Sequence, residues 1–337
     1  MSALGPDAQA AAAERMLELS LWDRLRRHPA GNISIVFGLG LLACVVVGLI
    51  IPDEFRFVSR PNIVILLKGI PLLGFISLGV GILMISGEFD LSVGATFQLT
   101  SFMMVQAFKD GWPLGLAVAL ALLTGLAVGL VNGAITTRLR IPSFITTLGT
   151  FFIVRGVLLF ASQARPINFF PSDFVQNLLT GKIGILQAQF LWFLLFAVLT
   201  YLLVHTHRLG NHFFAVGGNR DAATAVGINV DRVKVTAFIL CSLGATVAGI
   251  ISATRVNGVT PEASTNIELQ AIAVCVVGGL FLTGGRGAVL GIVLGALLVN
   301  VIKDVLFLVR APGLYLDMFF GAVIIVAVIL NTLVARR

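Results

Sequence analysis

Charged residues are scarce in this sequence. They make up 12% of its 337 residues, whereas ordinary soluble domains contain about 25%. Hydrophobic residues make up 58%, and ten bilayer-spanning helices of about 20 residues each would account for a fraction of this size. The composition argues against a soluble enzyme or a nucleic-acid-binding protein. It predicts an all-α polytopic membrane protein.

The sequence also lacks the motifs of several kinds of functional site. Its three cysteines, Cys44, Cys241 and Cys275, lie far apart and form no CxxC pair, so we expect neither a disulfide framework nor a metal site. A GxxxxGK[ST] phosphate loop is missing, so this chain is not expected to hydrolyse ATP by that route. No set of nucleophile, base and orienting residue is found, which disfavours a membrane-embedded enzyme and predicts no catalytic residues.

Charge-free apolar runs divide the chain into about ten candidate membrane spans. Some neighbouring runs are separated by only a few residues, so nine and eleven spans are alternatives. The candidate spans cover residues 33–51, 63–86, 91–108, 113–136, 143–161, 188–206, 235–254, 268–284, 287–308 and 314–334.

The net charge of +7 indicates which side of the membrane each loop faces. With the N-terminus inside, thirteen basic residues fall in cytoplasmic segments and six fall outside, as expected because Lys and Arg are enriched in cytoplasmic loops. We therefore expect a cytoplasmic tail over residues 1–32, a transmembrane domain over 33–337 and a cytoplasmic C-terminus. Two connections are long: 162–187 outside and 207–234 inside.

Three short patterns recur in order along the chain. Arg140 is followed by Ile-Pro and Arg310 by Ala-Pro, 170 residues later; Val-Asn132 is repeated as Val-Asn300; and Asp90 and Glu268 each precede a span. A displacement of five spans reverses the orientation in the membrane. Spans two to five and seven to ten are therefore predicted to form an inverted repeat, which is common in transporters.

Three of the charged residues within or at the ends of spans are candidates for a structural or functional role: Arg155, Glu268 and Asp317. Arg155 lies about 18 Å from the inner end of its span, at 1.5 Å per residue, and we expect a structural ion pair with Asp317. Thr265 and Glu268 have the spacing of a capping box at the start of span eight. A proton or ion relay through these charges is the alternative.

The inner connection contains a short segment rich in alanine. Asn219 is a good N-cap and Gly227 a good residue just after a helix, so the sequence predicts a helix of two turns between them. Such a helix is marginally stable alone. Because its side chains are small, we expect this helix to insert into a groove on a partner protein rather than to act only as a connector between spans.

Four motifs resemble those of the membrane permeases of ribose-type ABC importers and occur in the same order. Along the chain they are GEFDLSVG over residues 87–94, IPSFITTLG over 141–149, AVGGNRDAATAVGI over 215–228, and ELQAIA from 268, which continues to GGRG at 284–287. The resemblance extends from about residue 33 to the C-terminus. The wider superfamily includes permeases for branched-chain amino acids, nucleosides and an autoinducer sugar.

The resemblance implies a type II-importer-like subunit in the bacterial inner membrane. It would act with a second permease subunit, two ATPase subunits that carry ATP and Mg, and an extracytoplasmic binding protein, with no cofactor on this chain and no nucleic acid. The solute would be a monosaccharide such as ribose, and a nucleoside, a polyol or an autoinducer sugar are the alternative solutes. An ion-coupled secondary transporter is the alternative function. The residues implied in coupling to the ATPase are Gly217, Gly218, Asn219, Arg220, Asp221, Ala222, Ala223 and Gly227.

A permease for a hydroxylated solute needs a polar pathway. Polar residues on otherwise apolar spans are candidates for its lining, although each could instead hold two helices together through a side-chain hydrogen bond. Both interpretations stay open for Gln98, Asn132, Thr146, Thr147 and Asn300.

Overall fold

The fold is almost entirely helical. The computed structural model describes residues 31–261, 266–312, 315, 318–322, 325 and 329. The helices with defined bounds are α1 (Gly31–Ile50), α2 (Arg60–Ile85), α3 (Val93–Lys109), α4 (Leu114–Arg138), α5 (Ser143–Ser162), α6 (Asp173–Thr180), α7 (Ala188–His205), α8 (Arg208–Gly218), α9 (Arg220–Ala225), α10 (Val230–Val256), α11 (Ile267–Val277) and α12 (Val289–Leu308). Two antiparallel pairs of two-residue strands are formed by β1 (Ile167–Asn168) with β4 (Gly258–Val259) and by β2 (Lys182–Ile183) with β3 (Leu186–Gln187).

The helices confirm the predicted class of an all-helical polytopic membrane protein. Within the described residues, six helices are long and apolar enough to cross a membrane: α2, α4, α5, α7, α10 and α12. Helix α11 and the part of α1 from Phe37 are apolar but shorter, and α3 has 17 residues. These nine helices correspond to the first nine predicted spans. The tenth lies mostly outside the described residues, as does most of the N-terminal tail.

Two helix ends differ from their predicted positions by five residues or more. The eighth predicted span was expected to continue to residue 284, but α11 ends at Val277. Gly279, Gly284 and Gly285 then adopt left-handed conformations, with φ of 86°, 81° and 72°, which end a helix although the segment is apolar. Helix α10 begins before residue 235 because the Asn229 side chain accepts a hydrogen bond of 3.0 Å from the Arg232 amide.

The two halves of the chain repeat one order of elements. Helices α2 and α10 begin 170 residues apart, and each is followed by a short helix and a long one. Arg140 and Arg310, also 170 residues apart, share a left-handed conformation with φ of 55° and 54°. The first helix of each half packs against the helices of the other half. Helix α2 contacts α11 and α12, α10 contacts α3 and α4, and α2 and α10 contact one another.

Glycines allow the closest of these helix contacts. Gly125, Gly129 and Gly133 follow one face of α4 where it packs against α10. A Cβ atom at Gly129 would lie 2.7 Å from the Cα atom of Ile239, which is too close for any side chain. The small residues therefore let the two backbones approach, as in other membrane helix pairs.

Candidate functional site

The inner connection contains two helices, α8 and α9. Asn219 separates them, and its side chain accepts a hydrogen bond of 2.9 Å from the Ala222 amide. Gly227, with φ of 84°, follows the end of α9. The short helix expected from Asn219 and Gly227 is therefore present, with the expected cap.

The two faces of α9 differ in exposure. Ala223 is buried, at 3% exposure, and anchors the helix to the rest of the chain. Asp221 and Ala222 are exposed, and Val226 is 76% exposed. Arg220 lies 3.8 Å from Asp231 in an ion pair that is half exposed, so this pair contributes little to stability. The outer face of α9 is thus small, partly apolar and open to a partner.

Three glycine segments meet directly behind this connection, and we call their contact the glycine junction. It is formed by Gly87, by Gly217 at the end of α8, and by Gly284 with Gly285. The Gly285 amide donates a hydrogen bond of 2.9 Å to the Ile85 carbonyl. A Cβ atom at Gly217 would lie 2.7 Å from the Gly285 nitrogen, and one at Gly284 would lie 2.7 Å from the Gly87 Cα atom. Gly218 also faces Gly285 but has more room, 3.9 Å.

An ion pair joins the same segments. Lys234, in the first turns of α10, donates a hydrogen bond to the Glu88 carboxylate. Both side chains are largely buried, at 14% and 12% exposure. The start of α10 is therefore tied to the segment 86–92, which links α2 to α3. Sequence reasoning missed this pair because no sequence pattern relates the two residues, which are 146 positions apart.

The segment 86–92 is held by buried polar side chains. The Asp90 carboxylate is fully buried and accepts hydrogen bonds from the Ser92 amide at 2.7 Å and the Ser92 hydroxyl at 2.6 Å. Asn132 donates to the Ser92 hydroxyl at 2.8 Å, and Thr147 accepts from the Leu91 amide at 3.1 Å. Two candidate pathway residues, Asn132 and Thr147, thus contact this segment from α4 and α5.

The starts of α3 and α11 meet within the protein. A Cβ atom at Gly94 would lie 3.1 Å from the Ile267 side chain and would overlap the Glu268 carboxylate. Helix α11 has 11 residues and is about 16 Å long, which is half of a hydrocarbon core of about 30 Å. A helix as short as α11, lying at the interface of two repeats, is typical of substrate sites in transporters.

A narrow cleft at this meeting point brings together three of the predicted residues: Gln98, Arg155 and Glu268. The Arg155 guanidinium lies over the Phe151 ring, 5.9 Å from its centre. Arg155 and Glu268 line the same cleft, but among the described residues they form no direct ion pair. Asp317, the expected partner of Arg155, lies outside the described residues.

The remaining predictions have mixed outcomes. Helix α11 begins after Asn266, whose side chain forms no cap, and Thr265 of the expected capping box lies outside the described residues. Thr146 is buried and its hydroxyl has no partner in the described part of the chain. Asn300 lines a separate cavity at the other end of α12. Within the described ranges, no group of three His, Cys, Asp or Glu residues could hold a metal ion.

Comparison with known proteins agrees with this architecture. A family model described as "Branched-chain amino acid transport system / permease component" matches residues 62–328. The chain belongs to this permease family. It is therefore a multi-pass membrane permease component of a transport system. No solved structure matches the permease.

Curated relatives of the permease carry the name "Autoinducer 2 import system permease protein LsrC". The protein from Shigella flexneri is 30% identical over 292 residues, which cover 86% of this chain and 85% of the relative. The protein from Photorhabdus luminescens is 28% identical over 305 residues, covering 90% and 89%. That from Escherichia coli (strain K12 / DH10B) is 29% identical over 292 residues, covering 86% and 85%.

Proposed function

We propose that the permease carries a small hydroxylated solute into the cytoplasm by alternating access, driven by a separate ATPase. It pairs with a second permease subunit in the bacterial inner membrane, with both termini in the cytoplasm. Two ATPase subunits dock on the inner side and hold ATP and Mg, and a binding protein delivers the solute from outside. The observation that carries the proposal is the exposed face of α9, which follows directly on α8, whose Gly217 forms part of the glycine junction.

Coupling follows from the connectivity around α9. Movement of α9 would reach α8 through Asn219 and α10 through the short turn at Gly227. From α8 it would pass to the glycine junction, and from α10 to Glu88 through Lys234. Both routes end on the segments next to the broken helices α3 and α11. Since packed backbones transmit displacement with little loss, a push on α9 would shift the start of α3 and the segment that follows the end of α11.

The relatives named as autoinducer 2 permeases favour autoinducer 2 or a sugar such as ribose as the solute. A nucleoside or a polyol is the alternative within the same superfamily. The cleft between Arg155 and Glu268 offers donors and an acceptor on opposite sides, with the Phe151 ring beside them. Hydroxyl groups could bridge these side chains during passage, while Gln98 lines the same wall.

Placing a charge on α9 tests the coupling role. Val226→Asp puts a carboxylate on the exposed apolar residue that caps the end of this helix, and a docked ATPase would bury that carboxylate at a cost of a few kcal/mol. We expect at least a ten-fold loss of ATPase co-purification and of ATP-dependent uptake. Leu139→Asp is the matched control, because Leu139 is also apolar, 66% exposed and on the predicted inner side. Equal uptake by the two variants would refute the role of α9.

Alanine positions on the two faces of α9 refine this experiment. Ala222→Trp enlarges an exposed position and should block ATPase docking without changing the thermal stability of the permease. Ala223→Trp enlarges a buried position and should lower the stability itself, by about 1–3 kcal/mol for overpacking. Membrane insertion, melting temperature and ATPase co-purification separate the two effects.

One observation favours a second candidate function. Glu268 and Arg155 carry charges within membrane-embedded helices without a direct ion pair among the described residues, and such charges can serve ion coupling. An ion-coupled transporter would accumulate solute with this chain alone in liposomes under a proton or sodium gradient, and Glu268→Gln would abolish the accumulation. We expect no accumulation and no ATP hydrolysis by the isolated chain.

A further inference from the structure

A cavity of about 630 Å³ lies between the first turns of α2 and the last turns of α12. Ile65 and Gly69 line it from α2, and Asn300, Asp304 and Phe307 line it from α12. By the proposed orientation, this end of the permease faces the outside. The volume falls within the range of about 300–1,000 Å³ found for sites of small molecules.

Polar side chains in this cavity are held in place by neighbouring helices. Asp304 is 7% exposed, and one of its carboxylate oxygens, Oδ2, accepts a hydrogen bond of 2.7 Å from Asn62. Lys303 Nζ donates a hydrogen bond of 2.6 Å to Gln270 Oε1 on α11 and lies 5.4 Å from the centre of the Phe320 ring. The positions of both charged groups are therefore fixed before any ligand arrives.

Acceptor atoms in the cavity keep free capacity. Asn300 is 9% exposed, and its Nδ2 donates to the Ala296 carbonyl at 2.8 Å. Its Oδ1 atom and the Oδ1 atom of Asp304 accept no hydrogen bond from the described part of the chain. A buried polar atom costs free energy unless it is paired. These two oxygens therefore favour water, or a ligand that carries hydroxyl groups, over the acyl chain of a lipid.

The chemistry of the lining favours a neutral ligand. Lys303 and Asp304 are adjacent and carry opposite charges, so the cavity has little net charge to offer an ion. Its polar atoms include donors and acceptors, and its other walls are apolar: Ile65, Leu66, Leu306, Phe307, Ala311 and Pro312. Mixed polar groups on apolar walls match the edges and faces of a polyhydroxylated molecule.

We propose that this cavity is a receiving site for a neutral polyhydroxylated solute on the extracytoplasmic side, which rests on the proposed transport function. Lys303 contacts Gln270, which lies two residues after Glu268 on α11. The solute would pass along α11 from the cavity to the cleft of Arg155 and Glu268. While the solute is in the cavity, Asn300 and Asp304 accept hydrogen bonds from its hydroxyl groups.

Labelling with a membrane-impermeant maleimide tests whether water fills the cavity. The variants Asn300→Cys and Leu123→Cys are made in a Cys44→Ser background, because the other two cysteines are buried. Both positions lie about 12–14 Å from the outer end of their helix, at 1.5 Å per residue, and Leu123 is 61% exposed on α4. We expect labelling of intact cells at least ten-fold faster at position 300. Equally slow labelling would mean that lipid occupies the cavity and would overturn the proposal.

A glycine substitution tests whether solute uses the cavity. Gly69→Leu would fill it, since a Cβ atom there lies 3.4 Å from Asn300 Oδ1. Gly115→Leu, on α4, is the matched control because its Cβ atom has no neighbour within 4 Å. Uptake of radiolabelled ribose and of autoinducer 2 is measured separately with the complete transporter. We expect Gly69→Leu to reduce uptake at least ten-fold, with unchanged ATPase co-purification, and Gly115→Leu to transport normally.

The outcomes distinguish this proposal from the transport function on which it rests. If the wild-type transporter accumulates one probe and Gly69→Leu accumulates it at the same rate, only the receiving site is refuted. If the wild-type transporter accumulates neither probe, the proposed transport of these solutes fails, and the solute site fails with it. A Gly69→Leu variant that loses uptake together with ATPase co-purification would indicate misfolding and would also count against the site.

Discussion

The residues at the starts of the two short helices hold equivalent positions in the repeat but differ in their side-chain bonding. Glu88 and Asp90 lie just before α3, and Asn266 and Glu268 lie at the start of α11. The inner segment contains Asp90 with two hydrogen bonds from Ser92, and its Glu88 is paired with Lys234. On the outer side, Asn266 forms no side-chain cap, and Glu268 has no ion pair within the described ranges. Among these described residues, the start of α3 is therefore held by more side-chain bonds than the start of α11.

This difference suggests different roles for the starts of α3 and α11. A firmly bonded segment moves as a unit, so the inner one suits the transmission of movement from α9. A carboxylate with free capacity can exchange its partner during transport, so the outer one suits contact with solute. The comparison predicts that substitutions on the inner side act mainly on stability, whereas those on the outer side act mainly on transport.

The largest effect on stability is expected from breaking the Lys234–Glu88 pair. Lys234→Met leaves the Glu88 carboxylate buried without its partner, which costs about 3–5 kcal/mol in such pairs. We expect a markedly lower melting temperature of the purified permease. The double variant Lys234→Met/Glu88→Gln should recover much of the loss, because no uncompensated charge remains. An unchanged melting temperature of Lys234→Met would show that the pair does not stabilise the inner segment.

A smaller effect is expected at the glycine junction. Gly217→Ala places a methyl group against the Ile85 and Gly285 backbones, and overpacking of this kind costs about 1–3 kcal/mol. Gly218→Ala is the matched control, since its neighbour lies 3.9 Å away. Uptake and melting temperature should fall for Gly217→Ala and stay near the wild-type values for Gly218→Ala. Equal losses for both variants would mean that helix propensity, not the junction, is responsible.

The sequence predicted the long helices well because hydropathy marks each charge-free run. It also predicted the short helix after Asn219, because an N-cap and a left-handed glycine are local signals. The end of α11 at Val277 was missed because residues 278–284 are as apolar as the helix and differ only in backbone conformation. The Lys234–Glu88 pair and the cavity near Asn300 depend on contacts between distant segments, which periodicity does not encode.

The smallest effect on stability is expected on the outer side, at Glu268. Asp90→Asn replaces a carboxylate that accepts two hydrogen bonds from Ser92 and a longer one from Asn132, so the loss should be about 1–3 kcal/mol. Glu268→Gln removes a charge that has no ion pair among the described residues, so its effect should stay within about 0.5 kcal/mol. Transport by Glu268→Gln should nevertheless fall at least ten-fold, because the solute loses a charged acceptor in the cleft. Melting temperatures and uptake of both variants check this, and equal destabilisation by the two would remove the contrast between the segments.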